Sequence, residues 1–150
     1  MAFQDGASLK GQLEIVLKDQ SGKVKERRTE KNLIVNTGLN AILDRLVGTS
    51  EAVMSHMGLG SSSTAAAAGQ TALVSQLGSR EAIDSSTVTG SSVAYVCTFE
   101  AGDATGTITE AGIFNAASGG TMLCRSVFSS ITKGANDSLN VTWTITVTAS

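Results

Sequence analysis

Few side chains in this 150-residue chain have the type and spacing to do chemistry. It holds one histidine, His56, and two cysteines, Cys97 and Cys124, which stand far apart and form no CxxC pair. A structural zinc needs about four nitrogen or sulfur donors, and this inventory does not supply them. A serine nucleophile would have His56 as its only base, and nothing in the spacing brings a serine and an acid to it. His56 lies in a short apolar run, Met54–Gly60, and reads as a hydrogen-bonded core or edge residue. Glu100, Asp103 and Glu110 are the one carboxylate set that could do glycosidase work. Nothing places them across a cleft, and they are expected as exposed loop acids. Gly58-Leu-Gly60 lacks the helix and spacing of a phosphate-cradling loop. No catalytic, metal-binding or cofactor-binding residue is assigned, no cofactor is expected, and the chain does not read as an enzyme.

The one concentration of charge is basic. Lys23, Lys25, Arg27, Arg28 and Lys31 crowd a nine-residue stretch, interleaved with Glu26 and Glu30. That mixture, without an aromatic platform, argues against nucleic-acid binding, as does a formal net charge of −2. The stretch fits either a solvated strand or a docking hairpin whose cations meet a partner's carboxylates. Charged residues make up only 16% of the chain, so Ser, Thr, Gly, Ala and Asn must cover much of the surface. Such a surface suits packing against other proteins, since charge is depleted at interface cores. It suits an uncharged β-protein equally. Met1-Ala-Phe-Gln-Asp5 carries no secretion signal, and no run is long and apolar enough to cross a membrane. Synthesis in a reducing cytosol is the expectation, with both cysteines as buried free thiols and a disulfide as the other possibility. There is no proline; sheet edges therefore lack one of their usual guards, and neighbouring subunits would be another cover.

Periodicity places these residues on strands. Residues 1–8 read as an arm whose only large apolar side chain besides Met1 is Phe3, and residues 9–150 as a single domain. Leu9, Leu13, Ile15 and Leu17 alternate with Lys10, Gln12, Glu14 and Lys18, as a half-buried strand requires. Asp19–Gly22 turns the chain back, so that 9–35 forms a projecting hairpin. Asn36 or Thr37 is expected to cap a helix over 37–48, with Leu39, Ile42, Leu43 and Leu46 as its buried stripe and Gly48 at its end. That helix would plug an open end of a sandwich. Ser61–Gln70 is a low-complexity loop, and Thr71–Leu77 reads as one helical turn. Strands follow over Arg80–Thr89 and Val93–Glu100, with Val93, Tyr95, Cys97 and Phe99 on one face. Thr107–Phe114 and Met122–Phe128 flank a Gly-rich turn. The last strand is the clearest, because Leu139, Val141, Trp143, Ile145 and Val147 alternate with polar residues through Thr148. Tyr95, Phe99, Ile113, Phe114, Val141, Trp143 and Ile145 are the expected core. About eight strands and one helix make an all-β, antiparallel β-sandwich, a jelly roll first and an immunoglobulin-like sandwich second.

Three stretches together resemble a known family. They are KNLIVNTGLNAILDRLVG (Lys31–Gly48), MSHMGLGSSSTAAAAGQTAL (Met54–Leu73) and ITEAGIFNAASGGTMLCRSVFSSITKGANDSLNVTWTITV (Ile108–Val147). Their order, with the signature Ile108–Asn115, is similar to small virion proteins of tailed bacteriophages, and most to capsid cement (decoration) proteins. The resemblance implies a jelly roll on the outer surface of a capsid that bridges neighbouring major capsid protein subunits as a homodimer or homotrimer. Within it, Phe3, Lys23, Lys25, Arg27, Arg28 and Lys31 are the expected shell contacts. Gly112 and Asn115 would serve backbone geometry. A tail-fibre or baseplate module, with carbohydrate as a possible ligand, is the other role such a protein takes.

Overall fold

Alternation of β-branched and apolar residues with threonines builds the central strand, and everything else is added to it. The computed structural model describes residues 6–149; Phe3 lies outside them. In chain order the elements are β1 (Ala7–Lys18), β2 (Val24–Lys31), β3 (Leu33–Ile34), α1 (Asn36–Leu46), β4 (His56–Gly60) and β5 (Glu81–Ala82). They continue with β6 (Ser85–Thr89), β7 (Ser92–Phe99), β8 (Gly106–Phe114), β9 (Met122–Lys133) and β10 (Ser138–Ala149). One sheet has the order β2-β1-β10-β7-β6 and the other β3-β9-β8-β4-β5. All pairings are antiparallel. The described residues thus form an all-β sandwich of two five-stranded sheets with one helix.

The inner rows close the core. Leu13, Ile15 and Leu17 of β1, Leu139, Val141, Trp143 and Ile145 of β10, and Cys97 and Phe99 of β7 pack against Ile108, Ala111, Ile113, Leu123, Cys124 and Ile131 of the facing sheet. Phe114 joins Val35 and Met122 in a smaller cluster beside it. Of the expected core residues, only Tyr95 is half-buried rather than buried. Both cysteines are buried free thiols, and burial pushes the Cys97 thiol up to about 12 and Cys124 further in the same direction. A thiol reagent at pH 8 should therefore label neither in the folded protein, because the thiolate is the reactive form. Two equivalents should appear only on unfolding; rapid labelling of the native chain would contradict this packing.

The sandwich has ten strands rather than eight because two segments cross between sheets. The Lys23–Val35 stretch breaks at Asn32, with β2 in one sheet and β3 in the other. The Arg80–Thr89 stretch breaks likewise between β5 and β6. Nor does the 9–35 hairpin project. β1 pairs with β10 along its whole length, from Ala7 opposite Ala149 to Lys18 opposite Ser138. β2 is the outer edge of that sheet, not an arm.

The helix departs furthest from its sequence pattern. Val35 stands at its N-cap without a side-chain capping bond, and the Thr37 hydroxyl donates instead to the Met122 carbonyl. Its buried residues are Gly38 and Ala41, not the leucines. A Cβ on Gly38 would come within 2.2 Å of the Leu123 carbonyl oxygen, so glycine is what lets α1 lie against β9. Ile42 packs on the core, while Leu39, Leu43 and Leu46 are exposed. Close approach through the smallest residues has overridden burial of the largest. Thr71–Leu77 forms no helical turn; it bends past the end of β4 with a single bridge, Gly60 to Gln76, Ser61 N–H donating to the Ser75 carbonyl and Leu77 N–H to that of Leu59.

Candidate interaction surfaces

The buried charges are structural ties, and they account for most of the chemistry available inside the chain. Glu110 of β8 is fully buried, not a loop acid as its sequence neighbourhood suggests. Its Oε2 accepts from Arg125 Nε (2.9 Å) and Val74 N–H (3.1 Å), and Arg125 Nη2 stands 2.8 Å from the same oxygen. Its Oε1 accepts from Ser75 N–H at 2.7 Å. Arg125 Nη1 donates to the Thr64 carbonyl and to Gln70 Oε1. The pair therefore pins both the low-complexity loop, at Thr64 and Gln70, and the segment after it, at Val74 and Ser75, onto the sheet. One lone acid and one lone base in two neighbouring apolar strands was the available signal: the β8–β9 register places Arg125 opposite Gly112, diagonal to Glu110.

Glu100 is exposed and Asp103 partly so; Asp103 accepts from the Glu100 backbone N–H and closes their turn. The Glu100 carbonyl takes a hydrogen bond from Lys133 Nζ, whose pKa burial lowers. His56 is half-buried, paired with Phe114 of β8 on one side and Ala82 of β5 on the other, and shares a 2.8 Å hydrogen bond through Nδ1 with Ser55 Oγ. No group of three or more histidine, cysteine or acidic side chains is arranged to hold a metal among the described residues.

Of the basic hairpin residues, three are engaged within the chain. Lys25 pairs with Asp137 at 2.8 Å, and Arg27 with Glu14 at 2.6 Å. Arg28 pairs with Glu26 and also donates to the Ser129 and Ser130 carbonyls of the opposite sheet. Glu26, Arg28 and Glu30 stand opposite Leu17, Ile15 and Leu13, so inward-facing charges close the open side of the sandwich and guard its edge. Lys23 and Lys31 have no ionic partner among the described residues.

Hydrogen bonds from Lys25 and from the Gly134 N–H hold the Asp137 carboxyl below its ordinary value. A lowered carboxylate pKa stabilises the folded chain above the unfolded value near 4, and that contribution is lost as pH falls through the folded value. Asp137→Asn should remove this part of the acid sensitivity, leaving a flatter stability profile below pH 4. An unchanged acid limb would contradict the linkage.

At the α1 end of the sandwich the two sheets part into an apolar cleft of about 450 Å³. Its walls are Ala41 and Ile42 of α1, Val93, Tyr95, Ile145 and Val147 of one sheet, and Leu123 of the other, with Arg45 at the rim. The helix therefore walls one side of this end instead of plugging it. Exposed aliphatic side chains line it, among them Val53 and Val88 (74% exposed), and the helix that walls it carries Leu43, Leu46 (77%) and, at its C-cap, Val47 (78%) in the open. Groups of exposed large apolar residues mark interaction sites.

The chain matches no family model, no curated protein and no solved structure. No helix among the described residues is long and apolar enough to cross a membrane.

Proposed function

We propose that this chain is a structural virion protein, a capsid cement that clips neighbouring major capsid protein subunits together from the outer surface of a phage head. The observation that carries the proposal is the exposed aliphatic surface of α1 and its C-cap, where Leu43, Leu46 and Val47 stand in solvent on the helix whose Ala41 and Ile42 wall the apolar cleft. A bridging clip needs several modest contacts, which together bind tightly because the later ones are effectively intramolecular. Lys23 and Lys31 are the hairpin cations left to meet carboxylates on the shell, and Phe3 belongs to the same proposed set. Lys25, Arg27 and Arg28 are spent on internal pairs. The jelly-roll form belongs to the same proposal. β1, β10, β7 and β6 facing β3, β9, β8 and β4 supply the eight strands such a fold needs, with β2 and β5 as added edges and a chain order of its own. Carbohydrate binding on a tail gains less support, since Trp143 is fully buried and Tyr95 half-buried.

The test is occupancy on purified capsids stripped of the protein. Leu46→Glu combined with Val47→Glu, both at exposed sites, should leave the fold intact and empty the sites. Full occupancy by that variant would overturn the role given to this surface.

A further inference from the structure

The two sheets end in four edge strands, and these are guarded differently. β2 carries Lys25, Arg27 and Lys31 alternating with Glu26, Arg28 and Glu30; β3 and β5 are two residues each. β6 has none of these guards: Ser85-Ser-Thr-Val-Thr89 is uncharged, contains no proline and is exposed at every residue. An edge of that kind is a template for another strand.

Its outward groups follow from the turn that closes it. Gly90 and Ser91 connect β6 to β7, with Gly90 at φ +58° and Thr89 opposite Ser92. A two-residue turn with glycine first is the hairpin form whose flanking pair is hydrogen-bonded. Such pairs alternate along antiparallel strands, so Thr87 turns its N–H and C=O toward β7, while Ser86 and Val88 turn theirs to the free edge. The side chains of Ser86 and Val88 stand opposite Tyr95 and Val93, on the cleft side, and Val88 lines the cleft.

We propose that β6 pairs antiparallel with β6 of a second copy about a two-fold axis at Thr87, joining two five-stranded sheets into one. In that register the outward backbone groups of Ser86 meet those of Val88 in the other copy, and the reverse. The edge is its own complement. A second copy is favoured over a foreign strand because every copy brings this register, and an uncharged strand does not repel itself. The two Val88 side chains become diagonal neighbours, within reach of each other on the cleft face. A five-residue ladder alone falls short of the ~1,000 Å² that a lasting interface needs. The cleft rim, with Val53 and Val147 also exposed, supplies the apolar surface to complete it. Pairing at this edge goes beyond the capsid proposal and holds for the chain in solution, on a particle or off it.

Sedimentation velocity on the full chain over a wide concentration range should show a monomer–dimer equilibrium. Val88→Lys, at an exposed edge site, should shift it to monomer while the circular dichroism spectrum stays that of the parent. Thr87→Cys should cross-link to a covalent dimer on mild oxidation, because residue 87 faces its own copy as a non-hydrogen-bonded pair, close enough for a disulfide. Ser85→Cys, whose opposite number is Thr89, should not. A parent chain that is monomeric at every concentration would overturn the proposal. So would a dimer that survives Val88→Lys, or one that cross-links as readily through residue 85 as through residue 87. Leu46 and Val47 are not among the residues that line the cleft, so loss of capsid binding by their variant tests a surface apart from the β6 edge and the cleft rim, and the two proposals fail separately.

Discussion

Trp143→Ala is expected to destabilise the chain by about 3–5 kcal/mol, the range for removing a large aromatic from a packed core. Trp143 is fully buried and sits mid-strand in β10, between Leu13 of β1 and Tyr95 of β7. Its neighbours are held on both sides by long ladders, so the site cannot collapse far and the cavity stays. For a domain of this size that corresponds to a fall of roughly 10 °C in the melting midpoint. The indole N–H has no hydrogen-bond partner among the described residues, and a buried unpaired donor carries a cost of its own. Trp143→Phe should therefore cost less than its lost volume suggests. Urea denaturation of both variants checks the pair. A change below about 1 kcal/mol for Trp143→Ala would contradict the central place given to β10.

The second large effect belongs to the buried ion pair. Glu110→Ala leaves Arg125 charged, buried and without its carboxylate, a loss of about 3–5 kcal/mol where one partner of such a pair is removed. It also strips the acceptor from the Val74 and Ser75 amides. Two readouts should therefore move: global stability falls, and residues 61–77 become the first site of proteolysis. Replacing both partners, Glu110→Leu with Arg125→Met, should recover most of the global stability, since apolar residues of similar volume often substitute for a buried pair. It should not restore the loop, whose amides remain unpaired. If Glu110→Ala melts like the parent, or the double variant resists protease as the parent does, the pair does not anchor the loop.

The strands that proved legible are those with one wet face. β10 and β1 alternate cleanly because one row meets the core and the other meets water, and the same pattern showed Val93, Tyr95, Cys97 and Phe99 on one side of β7. The β8–β9 hairpin was visible from its Gly-rich turn, where Gly119 and Gly120 have φ near +62° and +66°. What stayed hidden depends on contacts between distant segments. Leu39, Leu43 and Leu46 recur at helical spacing, yet the face α1 buries was chosen by how near Gly38 lets it come to Leu123. Glu110 sits where alternation is interrupted by an irregularity between Ile108 and Glu110, so local pattern could not tell which side it faces. The crossings at Asn32 and at Ile83-Asp84 take one and two residues within β-rich segments, and they leave no compositional mark. The hairpin cations were plain in the sequence, but not that Lys25, Arg27 and Arg28 find Asp137, Glu14 and Glu26 within the same chain.

The buried Glu110–Arg125 pair ties the sandwich to its own loop, and exposed Leu43, Leu46 and Val47 are the surface that the proposed cement role uses. Cryo-electron microscopy of intact particles, if they carry the chain as proposed, measures this directly. The account predicts many copies on the outside of the head, each straddling two capsid subunits, with Leu46, Val47 and the α1 cleft turned to a protein neighbour. A particle with no copy on the shell, or with the α1 end of every copy facing solvent, would contradict it.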